Sequence, residues 1–159
     1  MNIKSKADGI RTFLNAMKVL RDENILINKK DFTGQIGEWL VEQIYDGKRS
    51  TNGIQKGWDV EIGDKKIQVK THSKADTNRA KFTVINKETC EGIDEVIIIV
   101  FSQDYKLKEF YRLPWSIASS FTKLRGRKKP KDELSWRLLN EFRINIKDLP
   151  NQEIVSLFE

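Results

Sequence analysis

Apolar and polar residues alternate from Trp58 to Lys70 as they do in a two-stranded ribbon. Trp58, Val60 and Ile62 interleave with Asp59 and Glu61, and Ile67 and Val69 with Lys66, Gln68 and Lys70, the period-two pattern of half-buried strands. Gly63-Asp64 between them reads as a two-residue hairpin turn, because glycine at its first position fits a primed turn. A turn centred there pairs Ile62 with Lys65, sets Val60 opposite Ile67 and Asp59 opposite Gln68, and makes Lys70 the diagonal neighbour of Asp59.

On either side the pattern changes. Ile10, Phe13, Leu14, Met17 and Leu20 form one apolar stripe over Ala7 to about Asp22, the mark of an amphipathic helix with a surface for core or dimer packing. Asn24 to Asn28 is a short apolar connector. Asp31 caps a second helix, whose packing face is Phe32, Ile36, Trp39, Leu40 and Tyr45. Lys48 to Gly57 is a polar, glycine-bearing loop leading into the hairpin. Further on, Lys81 to Asn86 reads as a third strand with Phe82, Val84 and Asn86 on one side. Glu95 to Ser102 contains an unbroken apolar run, Val96 to Phe101, as in a strand buried on both faces. Phe110 to Leu113 makes a fifth strand closed by Pro114, and Trp115 to Phe121 a short helix. Leu134 to Ile146 fits strand and helix alike, and Asn151 to Phe158 suits a terminal helix. A strand buried on both faces needs cover on each, so the expected class is α/β: a central mixed β-sheet of about five strands flanked by helices.

Composition narrows the class without naming a function. With 38% hydrophobic and 33% charged residues, residues 1–159 read as a single globular domain rather than a membrane or disordered chain. The longest apolar run has only a strand's length, so no membrane partner is expected. The first residues lack the apolar stretch of a signal peptide. Cys90 is the single cysteine and can form no internal disulfide, which suits a reducing cytoplasm. Lys and Arg exceed Asp and Glu by 29 to 23, a net charge of +6. That balance favours a polyanionic partner, nucleic acid first.

The hairpin carries the candidate chemistry. One face is apolar, and the other gathers a carboxylate (Asp59), an amide oxygen (Gln68) and an amine (Lys70). Carboxylate and carbonyl oxygens are hard ligands that suit Mg²⁺, and an adjacent ammonium can hold a phosphate or help deprotonate a water. Taken singly, each of the three reads as an ordinary exposed strand residue. Asp59, eight intervening residues, then Gln68-Val69-Lys70 together resemble the PD-(D/E)xK nuclease superfamily. The likeness is greatest to the branch in which glutamine replaces the middle acid, as in Mrr-type restriction endonucleases and some Holliday-junction-resolvase-like proteins. It covers about Asp31 to Phe101.

The resemblance implies a restriction-endonuclease-like core over about 31–113, with 114–159 adding a basic loop and carboxy-terminal elements. It also implies a glutamate on the preceding helix, which Gly34-Gln35-Ile36-Gly37-Glu38 supplies. Glu38, Asp59 and Gln68 would then bind Mg²⁺, with Mn²⁺ as a substitute, and Lys70 would face the phosphate and the attacking water. Glu42, one turn on, is the fallback ligand, and Glu61, on the same strand face as Asp59, a supporting acid. Position 58 is tryptophan where the family name has proline, and Gln68 is neutral, which points to one metal rather than two. The implied activity is that of a metal-dependent DNA endonuclease, most readily a restriction-type enzyme acting on double-stranded DNA as a homodimer. The alternatives are a structure-specific junction or repair nuclease, or a non-catalytic nucleic-acid-binding module. Beside such a site Lys123, Arg125, Arg127, Lys128, Lys129 and Lys131, six cations within nine residues, read as a loop clamping phosphates. His72 and Lys74, just past the strand, are expected on the DNA side.

Overall fold

The uninterrupted apolar strand lies at the centre of the molecule. The computed structural model describes residues 3–27, 31–50, 57–76, 81–90 and 92–159. Among these, α1 (Ile3–Asp22), α2 (Phe32–Tyr45), α3 (Trp115–Phe121) and α4 (Gln152–Val155) surround a six-stranded mixed sheet. In chain order its strands are β1 (Lys48–Arg49), β2 (Val60–Ile62), β3 (Lys65–His72), β5 (Glu95–Phe101), β6 (Leu107–Pro114) and β9 (Arg143–Ile144). They lie in that same order across the sheet, with β3 and β5 parallel and the other neighbours antiparallel. A separate three-stranded antiparallel sheet holds β4 (Phe82–Ile85), β8 (Lys131–Ser135) and β7 (Lys123–Arg125), in that order. No described helix is long and apolar enough to cross a membrane.

Alternation along β5 divides the interior in two. Ile97, Ile99 and Phe101 pack with Ile67, Val69 and the α2 residues Leu40, Val41 and Ile44. Val96, Ile98 and Val100 face the other way, toward Ile85, Leu134, Trp136 and Ala118. Each of those six β5 side chains is fully enclosed, a burial that stabilises by about 1.5–3 kcal/mol per residue. α2 and α4 thus cover one face, and the small sheet with α3 covers the other.

The hairpin has the register its alternation predicts: Val60 pairs with Ile67, Glu61 with Lys66 and Ile62 with Lys65. Gly63 holds φ +62 while Asp64 stays at negative φ, the backbone of a turn that needs glycine only at its first position. Asp31 caps α2, its carboxylate accepting from the Thr33 N–H at 3.1 Å.

Several expectations are corrected. The segment expected as the third strand forms β4, but outside the central sheet, paired with β8 in the small one. The basic run expected as a loop supplies most of a β-hairpin, Lys123 pairing with Glu133 and Arg125 with Lys131. Backbone pairing leaves all three β7 side chains exposed, so the strand forms while its cations stay in water, as edge strands allow. Leu134 to Ile146 is neither a plain strand nor a helix; after β8 come two short 3₁₀ turns, Trp136–Leu138 and Asn140–Phe142, and then β9. The terminal helix shrinks to α4 and a 3₁₀ turn. Of the apolar stripe on α1, Met17 and Leu20 reach the core, whereas Ile10, Phe13 and Leu14 are exposed. Residues 51–56 of the expected polar loop, and Asn28 of the connector, lie outside the described residues.

Candidate active site

The site forms where the central sheet runs out of strands. β2 begins at Val60, but β3 runs on past Ile67 to His72, so among the described residues the outer edge of β3 has no strand partner there. Asp59 fills the gap with its side chain. Its backbone N–H donates to Ile67 O at 2.8 Å, and its Oδ2 accepts from the Val69 N–H at 2.7 Å and from Gln68 Nε2 at 2.7 Å. Asp59 is therefore fixed by three hydrogen bonds that involve β3.

Gln68, Lys70 and His72 alternate with Val69 and Thr71, so they line one face of β3, above Val96, Ile98 and Val100 of β5. Thr71 points the other way, against α2. A Cβ on Gly37 would lie 1.9 Å from Thr71 Oγ1 and 2.9 Å from its Cβ. Only glycine at position 37 allows this approach, and the next residue along the helix is Glu38. Because the sheet edge is open here, Glu38 lines the same cavity of about 460 Å³ as Asp59, Gln68, Lys70, His72 and Lys74. Phe82, Thr83 and Val84 of β4 form its far wall.

Charge is confined in this cavity. Burial, reinforced by the Asp59 carboxylate, pushes the Glu38 carboxyl from 4.5 up to about 7, against the pull of Arg49 and Lys70. Burial also raises Asp59, while the Val69 N–H, Lys70 and Gln68 work in the opposite direction. Two desolvated carboxylates facing one space are poorly served by their own surroundings, and a divalent cation would relieve both. Such hard oxygen donors suit Mg²⁺, which keeps several of its own waters. Among the described residues no three His, Cys, Asp or Glu side chains are grouped so as to hold a metal ion, so the oxygen donors offered to a cation here are those of this carboxylate pair.

Gln68 is oriented differently from the expectation. Its Nε2 faces Asp59, and its Oε1 accepts from the Cys90 thiol at 3.6 Å. In this orientation the amide steadies Asp59 and turns no oxygen toward the cation position. A half-turn of the amide would exchange the two atoms.

The other expected residues divide. Glu42, the fallback ligand, is taken by Arg49, accepting from its backbone N–H at 3.0 Å and from Nε at 2.8 Å. Arg49 also donates to Ile25 O and Asn24 O, so this pair ties β1 to the end of α1. Glu61 pairs with Lys66 across the hairpin and is absent from the cavity wall. His72 stacks on Trp136 with centroids 5.0 Å apart. Burial, with Lys74 and Lys70 nearby, drops its pKa to about 4, so it is neutral at physiological pH and can contribute hydrogen bonds but no charge. Lys74 Nζ stands over the rings of Phe82 at 5.3 Å and Trp136 at 5.7 Å. Lys123 and Arg125 line a second concavity on the small sheet, while Arg127, Lys128 and Lys129 sit in the turn that follows and Lys131 opens β8.

Sequence reasoning missed Gly37, Cys90 and Phe82. For Gly37 a signal existed, a glycine inside a helix pattern, which often marks a close approach. Nothing local betrays that Cys90 reaches Gln68 across 22 residues. Among known proteins, no family model matches the chain, and no curated protein matches it either.

Proposed function

We propose that the protein is a metal-dependent DNA endonuclease with a restriction-endonuclease-like core, working in the cytoplasm. The observation that carries this reading is the meeting of Glu38, Asp59, Gln68 and Lys70, from a helix, a strand entry and a strand, around one cavity. The resemblance to glutamine-variant PD-(D/E)xK nucleases concerns these same four residues and agrees with their roles.

A bound Mg²⁺ or Mn²⁺ supplies Lewis-acid stabilisation of the phosphorane-like charge and acidifies water. Glu38 and Asp59 would hold the ion, the latter kept rigid by its bonds to β3. Gln68 fixes the inner side of the Asp59 carboxylate. Lys70 would meet a non-bridging phosphate oxygen and balance the charge that gathers there while a water oxygen bonds to phosphorus and the P–O bond to the leaving oxygen breaks. The water's proton passes to solvent, and the leaving oxygen takes one from it. One site cuts one strand, so cutting both strands of a duplex calls for a homodimer, and the exposed apolar stripe of α1 is the candidate interface. Restriction of double-stranded DNA is the activity to which the motif leans; a structure-specific junction or repair nuclease is the alternative within the same chemistry.

A second reading, a nucleic-acid-binding module that holds without cutting, is favoured by the Gln68 oxygen being engaged with Cys90. One assay separates the two. Plasmid, linear and four-way-junction DNA are incubated with the protein in Mg²⁺ or Mn²⁺, beside Lys70→Ala. Cleavage that disappears in the variant supports the nuclease. Binding with no cleavage in any metal refutes it.

A further inference from the structure

The small sheet has an outward face that the catalytic cavity meets only along β4, at Phe82 and Val84. By register, Phe82 pairs with Ser135, Val84 with Glu133, Glu133 with Lys123, and Lys131 with Arg125. Thr83, Ile85 and Leu134 alternate with these and are buried, so the paired set faces out. On that face lies a groove of about 620 Å³. Its walls carry four cations, Lys81, Lys123, Arg125 and Arg137, against one carboxylate, Glu133. Phe82, Phe121 and Leu138 add apolar surface, and Leu138 is 54% exposed.

Phe82 also belongs to the wall of the catalytic cavity. The two concavities therefore adjoin through one aromatic ring, and Lys74 stands over that ring from the catalytic side. A chain of phosphates leaving the cavity past Phe82 would cross β8 beside Ser135 and Glu133 and then reach the cations of β7. Cations alone would serve a duplex, whose bases are paired and hidden from a groove wall. Aromatic rings set among cations serve unpaired nucleotides, whose bases offer a free face for stacking while the backbone follows the positive charge. The groove is also concave and sized for a small ligand, unlike the broad contact that a rod-like duplex requires.

We infer that this groove binds an unpaired polynucleotide strand continuous with the scissile strand, so that the substrate is DNA with a single-stranded segment beside the cut, which selects the structure-specific alternative over restriction of intact duplex. Binding to the groove stands on the small sheet alone. Its link to a cut rests on the nuclease reading above.

The test is fluorescence anisotropy with a labelled oligothymidine strand and a duplex of equal length, in chelator so that nothing is cleaved. Three proteins are compared: wild type, the paired charge reversal Lys123→Glu/Arg125→Glu, and Phe121→Leu. Thermal unfolding identifies any variant that fails to fold, and because β7 is exposed the charge reversal remains informative if Phe121→Leu does not. Wild type should bind the strand at least about fivefold more tightly than the duplex. The charge reversal should weaken strand binding about tenfold or more, and Phe121→Leu should weaken strand binding about fivefold with duplex binding unchanged. Equal or tighter binding of the duplex, or strand affinity unmoved in the charge reversal, overturns the inference. A wild type that binds the strand and cuts no DNA in metal overturns the nuclease reading and leaves the groove standing. One that cuts DNA without preferring the strand does the reverse.

Discussion

Replacing Glu38 by glutamine removes an ionisable group that the fold keeps under strain, and the consequence has a definite sign. In the unfolded chain this carboxyl titrates near 4.5, and in the folded protein near 7. Below the first value it is protonated in both states and costs nothing. Between the two values only the unfolded state is ionised, so raising the pH favours unfolding. Above the second value the folded state carries the full burden of a buried charge beside Asp59. At 1.36 kcal/mol for each tenfold change in proton affinity, that burden is up to about 3 kcal/mol. Glu38→Gln should therefore match wild type near about pH 4 and exceed its stability at about pH 8 by up to about 3 kcal/mol. Urea unfolding followed by the fluorescence of the four tryptophans measures this directly. Saturating Mg²⁺ at the higher pH should narrow the gap by stabilising wild type more than the variant, since a ligand that binds only the folded state adds stability in proportion to the logarithm of its affinity. A variant no more stable than wild type at the higher pH would refute the reasoning, because the carboxyl would then be solvated and unperturbed.

Other substitutions probe how the site is held. Gly37→Ala places a methyl 1.9 Å from Thr71 Oγ1, overpacking that should cost about 3 kcal/mol in chemical denaturation; adding Thr71→Ala should recover part of the loss, and an unaffected single variant would mean that α2 does not press on β3. Arg49→Ala leaves Glu42 only the backbone N–H of position 49, takes the guanidinium from the carbonyls of Asn24 and Ile25 just past α1, and should cost about 3 kcal/mol as a broken, largely buried pair does. A loss below about 1 kcal/mol in the same measurement would show a solvated pair.

How much of this was legible in the sequence depended on how local each cause was. The hairpin register followed from five alternating apolar positions and one glycine, so Val60 against Ile67 could be counted off along the chain. β5 was equally plain, since six apolar residues in a row, five of them β-branched, have the length and composition of a strand enclosed on both sides. Asp31 announced α2 because a cap acts within two residues. The basic hairpin was obscure for the opposite reason: its strands are held by backbone pairing, and side chains that contribute charge and no burial look the same in a loop. β4 read correctly as a strand, but its partner lies about fifty residues away, and nothing near Phe82 says which sheet it joins. In the candidate site, Asp59, Gln68 and Lys70 could be brought together by counting. The Gly37 contact, the Cys90 thiol on Gln68 and the claim of Arg49 on Glu42 needed three dimensions, because each joins segments that the chain pattern leaves independent.

The claim beneath the proposed activity is that Glu38 and Asp59 together hold one divalent cation. Calorimetric titration of Mn²⁺ into wild type, Glu38→Gln and Asp59→Asn at neutral pH tests it without any DNA. The account predicts a single site in wild type, protons released on binding as Glu38 ionises, and affinity reduced at least about tenfold in either variant. Undetectable binding to wild type, or equal binding by all three proteins, would contradict it.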